Sequence, residues 1–212
     1  VMFFSLEMTA TELIKRAVVS RSNLTMNDAF MGAMGPERLK EFREVAGQFA
    51  KQELIVDEHS YSLTEIAFSI RRKHMQTGAR VVVIDYLQLI RGEKGRSDTE
   101  QIRDVTRLLK QLAKVLEITI VLLSQLNREV EQRPRKLPQL SDLRQSGSIE
   151  EDANIVIFPY RPEYYGVETF EDNEMSQGLA DLIVAKNRNG RTGAVRVKFE
   201  GEKARFMDLD KK

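Results

Sequence analysis

Three polar groups stand directly behind apolar, β-type runs. Glu7 follows Val1–Phe4 and then Ser5 and Leu6, Asp85 follows Val81-Val82-Val83-Ile84, and Gln125 follows Ile118–Leu123 and Ser124. In an open parallel sheet, ligands bind beyond the carboxyl ends of the strands, so these positions have first claim on one. An aspartate behind four β-branched residues has the local pattern of a Walker B carboxylate, which holds Mg2+ beside a nucleotide. A glutamate can serve as general base for a hydrolytic water, and a glutamine is an uncharged donor able to register a γ-phosphate. A single acid past a strand is as readily a helix cap or a turn residue. Three complementary groups at three strand ends favour a phosphate site.

The elements that must position them follow from periodicity. Unbroken apolar runs at Val1–Ser5, Leu54–Val56, Val81–Ile84, Ile118–Leu123, Ile155–Phe158 and Leu182–Ala185 suit strands covered on both faces, as in a parallel sheet. Amphipathic stretches lie between them. Thr9 with Glu12, and Ser62 with Glu65, form capping boxes that open helices over Ala10–Ser20 and from Ser62 to about Gln76, the latter stopping at Gly78. Gly35-Pro36 leads into a helix over Glu37–Gln52, and Ser97–Leu116 carries a further apolar stripe. Strand–helix–strand units of this length predict an α/β sandwich. After about Ile155, short strands and turns (Val195–Phe199, Ala204–Met207) predict antiparallel hairpins added to one edge of the sheet. The segments Arg91–Asp98, Arg128–Gln139 and Glu163–Gln177 read as loops, the last acidic and long enough to be either functional or disordered.

Composition narrows the chemistry. The 212 residues are 42% hydrophobic and 31% charged, a mix that fills a globular core. Cysteine is absent, which excludes thiol catalysis and Cys-ligated metals, and the two histidines, His59 and His74, have no ligand-like spacing. With 33 Lys and Arg against 32 acids, the net charge of +1 argues for no polyanion in bulk; nucleic acid would have to be held by local basic segments. No apolar run approaches the roughly 20 residues of a membrane helix, and the expectation is a soluble, cytoplasmic protein with no membrane partner. The phosphate-cradling pattern G-x-x-x-x-G-K-[ST] is also absent, as no Gly-Lys pair occurs. Because the chain opens on Val1-Met2-Phe3-Phe4 rather than on an initiator Met, it reads as a piece of a longer protein whose phosphate loop lies upstream.

Five segments, in order, resemble replicative helicases of the DnaB type: Phe3-Phe4-Ser5-Leu6-Glu7-Met8, Asp85-Tyr86-Leu87-Gln88-Leu89-Ile90, Ser124-Gln125-Leu126-Asn127-Arg128, Asp142–Glu150, and Ala185-Lys186-Asn187-Arg188-Asn189-Gly190. The resemblance implies an α/β, RecA-like motor domain over 1–212, incomplete because the first strand, the Walker A loop and its helix are missing. It further implies ATP and Mg2+ as cofactors and a hexameric ring that translocates 5′→3′ on single-stranded DNA. Primase and a helicase loader are the implied partners. Glu7 then looks like the catalytic glutamate, Asp85 like the Walker B aspartate on Mg2+, and Gln125 like the γ-phosphate sensor. Arg16 looks like an arginine beside the adenine, although a solvated helix arginine fits it equally well.

Lys186 and Arg188 look like the pair that reaches the neighbouring subunit's ATP. A hairpin between Val184 and Val195, with Asn189-Gly190 as its turn signal, can present two cations rigidly. The segment Asp142–Ile149 looks like a DNA-gripping loop, with Arg144, Gln145 and Gly147 at the strand. Arg144 can neutralise a phosphate, and Gly147 permits close approach of backbone N–H groups. No aromatic lies nearby, which fits backbone tracking rather than base readout. Arg91, Lys94 and Arg96 form a second, weaker basic segment. Two departures from the family pattern are Gln145 where Glu is usual and Asn154 where Asp is frequent. Without its phosphate loop the fragment is expected to be inactive. The competing readings are a related RecA-fold ATPase and a non-catalytic oligomerising or DNA-binding module.

Overall fold

The structure is a computed structural model that describes residues 1–32, 34–92 and 95–209, the side chains of Arg144, Gln145 and Ser146 excepted. The chain divides into two compact units, Val1–Leu24 with Asp28–Gln125, and Leu126–Lys212 with Thr25–Asn27.

The first unit holds a four-stranded parallel sheet in the order β2-β1-β3-β4, built from β1 (Met2–Ser5), β2 (Ile55–Asp57), β3 (Val81–Asp85) and β4 (Thr119–Leu122). Its helices are α1 (Ala10–Ser20), most of α2 (Met26–Met31), α3 (Pro36–Phe49), α4 (Leu63–Thr77) and α5 (Asp98–Leu116). Local chemistry sets their ends. Thr9, Ser62 and Ser97 each accept from the backbone N–H three residues on, while Glu12, Glu65 and Glu100 reach back to the cap. Gly78, at φ +67°, ends α4 in the left-handed conformation that glycine adopts without a Cβ penalty.

Met2 and Phe4 of β1 and Val82 and Ile84 of β3 are fully buried on one side of the sheet, and Val18 and Val19 of α1 and Ile66 and Ile70 of α4 are buried in the same unit. Burying a side chain of this size contributes about 1.5–3 kcal/mol. A slip of one residue in the β1–β3 pairing would turn Phe4 outward, so the core also fixes the register that sets Ser5 opposite Asp85. The expectation of strands covered on both faces fails at β4, where Val121 and Leu123 are exposed. β4 is an edge strand, and within this chain its residues alternate between covered and open sides.

The second unit begins with two 3₁₀ stretches, Arg128–Gln132 and Leu140–Ser146, and α6 (Gly147–Asp152). It continues in an antiparallel sheet of β5 (Ile155–Tyr160), β6 (Leu179–Asn187), β7 (Gly193–Glu200) and β8 (Arg205–Met207), in that order. The antiparallel hairpins are as expected, and they hydrogen-bond to one another as a four-stranded sheet.

Two segments read as loops are internally anchored. Arg133 makes a bidentate pair with the buried Asp142, whose carboxyl is lowered from its usual value chiefly by that hydrogen bond. The acidic stretch 163–177 folds over the buried Phe170 and Ser176. Its Asp172 and Glu174 bond Arg196, which also pairs with Asp181 of β6 and lies over the Phe170 ring.

Candidate nucleotide site

The parallel sheet reverses direction of travel between β1 and β3. The chain leaves β1 toward β2 on one side and leaves β3 toward β4 on the other. Loops that depart in opposite directions open a crevice at the carboxyl ends of the two central strands. Glu7 and Asp85 border that crevice. The Leu6 N–H donates to the Asp85 carbonyl at 2.9 Å, one step beyond the Ser5–Asp85 register pair. Ser5 is buried, and its hydroxyl donates to the Met8 carbonyl at 2.6 Å, closing the turn that carries Glu7.

Asp85 is half-buried, and its carboxyl is pushed up from the usual value, first by burial and next by the negative charge of Glu7, with Arg16 opposing. The three side chains therefore share one field. The Asp85–Tyr86 peptide is cis. Arg16 is exposed on α1, and its guanidinium lies 5.7 Å from the centre of the Phe30 ring.

Gln125 stands at the adjoining strand end. Leu123 donates to the Ile84 carbonyl at 3.0 Å, and Leu87 donates to the Leu123 carbonyl at 2.9 Å, so the exits of β3 and β4 are laced together. Gln88 completes the lacing. Its amide donates to the Ser124 hydroxyl at 3.0 Å and its carbonyl accepts from the Gln125 N–H at 3.2 Å. Sequence reading overlooked Gln88. Its place three residues after Asp85 was the available signal, but a polar residue behind a strand is common, and only the fold shows it bridging two strand ends.

Among the described residues no cluster of three or more His, Cys, Asp or Glu could cage a metal. Mg2+ rarely uses such cages; it takes one or two carboxylates and completes its shell with water and phosphate oxygens. Asp85, with Glu7 beside it, fits that sparse mode.

In the second unit, β6 carries a register shift opposite Val156 and Ile157: Lys186 pairs with Val156, but Ile157 pairs with Val184. The extra residue, Ala185, precedes Lys186, and bulges of this kind re-aim the neighbouring side chain. Lys186 donates to the Glu150 carbonyl and, at 3.5 Å, to that of Glu151; Arg188 donates to the Glu151 carbonyl at 3.1 Å. The segment 142–149, read as a loop, is helical, because the 3₁₀ stretch runs directly into α6. Gly147 has ordinary helical angles, and a Cβ there would meet nothing within 4 Å. The side chains of Arg144 and Gln145, and all of Lys94, lie outside the described residues. Arg91 sits over the Tyr61 ring, and Arg96 pairs with Asp104.

A shallow depression elsewhere on the first unit, lined by Asp57, Ser69, Arg72 and Lys73 among others, is built around internal partners. Asp57 accepts from Ser69 and Lys73, both at 2.8 Å.

Residues 1–208 match the family described as DnaB-like helicase C terminal domain. The chain belongs to that family. It is 38% identical over 216 residues to the replicative DNA helicase DnaB of Geobacillus stearothermophilus, covering 100% of this chain and 46% of that protein. It is 36% identical over 215 residues to the replicative DNA helicase DnaC of Bacillus subtilis, with the same coverage of each. The chain thus spans about half the length of the curated relatives it matches. A DnaB-like replicative helicase solved with its interactions with primase superposes with a TM-score of 0.88 at 33% identity, over 99% of this chain and 50% of that one. A second solved structure, that of an ATPase domain, superposes equally well, at 0.88 and 33%, over 99% and 74% of the two chains. The fold of this DnaB-like domain, a parallel four-stranded sheet flanked by helices and followed by an antiparallel four-stranded sheet, is that of the solved ATPase domain. Among the described residues, no helix is long and apolar enough to cross a membrane.

Proposed function

We propose that the chain is the larger part of an ATP-driven motor domain of a replicative DNA helicase. The carrying observation is the shared rim of Glu7, Asp85 and Gln125, with Gln88 joining the last two strand ends. In this reading Glu7 orients and polarises the water that attacks the γ-phosphate. Asp85 would hold Mg2+, directly or through its water, and the ion would supply charge neutralisation at the β- and γ-oxygens. Gln125 registers whether the γ-phosphate is present, and Arg16 packs beside the adenine.

Phosphoryl transfer has a loose transition state, so positioning and charge do most of the catalytic work. Lys186 and Arg188 are the charge that a neighbouring subunit's site receives, in a hexameric ring of the whole protein. Supplying cations across a subunit boundary ties hydrolysis to the arrangement of the ring.

Arg144, Gln145 and Gly147 contact single-stranded DNA through its backbone, which suits a motor that moves over arbitrary sequence. The Asn127 N–H, two residues past Gln125, donates to the Asp142 carbonyl at 3.0 Å, at the head of this segment. Primase is proposed as a partner from the likeness to a helicase solved with it, and a loader from the family resemblance. The fragment by itself is proposed to be inactive, because the glycine-rich phosphate loop is absent from its sequence.

The deciding experiment measures ATP hydrolysis and forked-duplex unwinding by the full-length protein, with and without single-stranded DNA. DNA-stimulated turnover with unwinding is expected. DNA binding without turnover would replace the motor with the non-catalytic module, and turnover without unwinding would favour a related RecA-fold ATPase.

A further inference from the structure

The two cations assigned to a neighbour's nucleotide are already engaged within their own unit. Lys186 donates to the carbonyls of Glu150 and Glu151, and Arg188 to that of Glu151, while the Arg188 N–H donates to the Asn154 carbonyl at 2.9 Å. The carbonyls of Glu150 and Glu151 belong to the last turn of α6, where they have no partner inside a helix. The acids Glu150, Glu151 and Asp152 crowd the same end and add to its negative potential.

α6 is six residues long and none of them is fully buried. A helix this short does not stand on propensity in water. The Ser148 hydroxyl, in its first turn, is buried without a hydrogen-bond partner among the described residues, so the present seating leaves one polar group unsatisfied. The 3₁₀ stretch Leu140–Ser146 passes into α6 without a break, so whatever holds α6 also holds the end of the segment proposed to grip DNA.

We infer that the C-terminal turn of α6 is a resting dock for Lys186 and Arg188, and that engaging a neighbour's phosphates withdraws these cations and releases α6. The inference rests on the reading of the pair as trans-acting and adds a competition to it. One set of ammonium and guanidinium donors serves two anionic sites in turn: the helix carbonyls of its own subunit and the phosphate oxygens of the next. Because the sites compete, each state of the neighbour's nucleotide biases the order of the DNA-contacting segment.

Hydrogen exchange on the full-length protein tests this, read in peptides covering residues 147–154. In nucleotide-free protein, Lys186→Met is expected to speed exchange there by about fivefold or more, the effect of removing a charged cap, with β6 and β7 unchanged as a check on folding. Lys186→Arg, which keeps a donor, should restore most of the protection. In the unsubstituted protein, ADP–aluminium fluoride with Mg2+ should produce the same acceleration, and in Lys186→Met it should add nothing.

Exchange that ignores Lys186→Met without nucleotide overturns the dock. Exchange that responds to the substitution but not to the transition-state analogue overturns the competition. If Lys186→Met leaves ATP turnover of the full-length protein intact, the trans-acting assignment itself fails, a result read in a separate assay.

Discussion

The negative charge of Glu7 acts on the carboxyl of Asp85 across the crevice between β1 and β3, adding to the effect of burial and raising the pKa of Asp85 above its ordinary value. The folded state therefore holds that proton more tightly than the unfolded chain. Any stability tied to it is complete below the unfolded value and is lost as pH rises through the folded one. At neutral pH the ionised Asp85 is a cost that the fold carries. Asp85→Asn is expected to raise Tm by about 1–3 °C, a figure kept small by solvent screening at a half-buried site, while removing ATP turnover. Thermal unfolding and an ATPase assay check the two halves, and an unchanged or lower Tm would contradict the repulsion.

Glu7→Gln in the full-length protein is expected to lower ATP turnover by about 10²–10⁴-fold with nucleotide affinity nearly unchanged, because the amide keeps the shape and loses the base. Nucleotide binding by titration and steady-state hydrolysis measure this split. Retained hydrolysis would remove Glu7 from its role.

Gln88 holds Ser124 and the Gln125 backbone in place without any assigned contact to phosphate. For Gln88→Leu we expect turnover to fall about 3–30-fold, the equivalent of one or two modest hydrogen bonds. DNA stimulation of the ATPase should fall further than the basal rate. An equal loss in both would mark Gln88 as a general structural prop rather than a positioner of the sensor.

Burial works to raise the Asp57 carboxyl, but hydrogen bonds from Lys73, Ser69 and the N–H groups of His59 and Ser60 outweigh it and leave the group far below its ordinary 3.8. A depressed folded value contributes stability that is present above the unfolded value and lost as pH falls toward the folded one. Asp57→Asn is expected to cost about 1–3 kcal/mol at pH 7, less than a fully buried pair because the site is partly open. It should also flatten the loss of stability below about pH 5. Urea melts of both proteins from neutral to acid pH test this, and parallel curves would contradict it.

Arg144→Ala is expected to weaken binding of single-stranded DNA equally across sequences. The slope of log affinity against log salt should fall by about 0.7, the contribution of one phosphate contact on a single strand. Fluorescence anisotropy on homopolymeric and mixed oligonucleotides distinguishes this from a base-selective loss, which would contradict backbone tracking.

Much of the first unit was legible in the sequence because its signals are local. The capping pairs Thr9–Glu12 and Ser62–Glu65, the stop at Gly78 and the apolar runs of β1 and β3 each act within a few residues. Residues at strand ends could be named for the same reason. Partners distant in sequence could not be read this way. That Gln88 bridges to Ser124, that Arg196 collects Asp172, Glu174 and Asp181, and that Arg133 grips Asp142 depends on chain crossings that no periodicity encodes. The acidic stretch 163–177 therefore read as a long loop, either functional or disordered, although Phe170 and Arg196 give it a core.

The sequence by itself determined the strands and the longer helices, α1, α3, α4 and α5, the chemical identity of Glu7, Asp85, Gln125, Lys186 and Arg188, and the order in which they occur. Tertiary structure decided that β1 lies beside β3, which brings two carboxylates into one field, and that a bulge at Ala185 accompanies Lys186 onto the carbonyls of α6. The physical reason is one of range: capping and periodicity act over one or two turns of chain, whereas electrostatic coupling and hydrogen bonding act through space and take effect only once the register of the sheets is set.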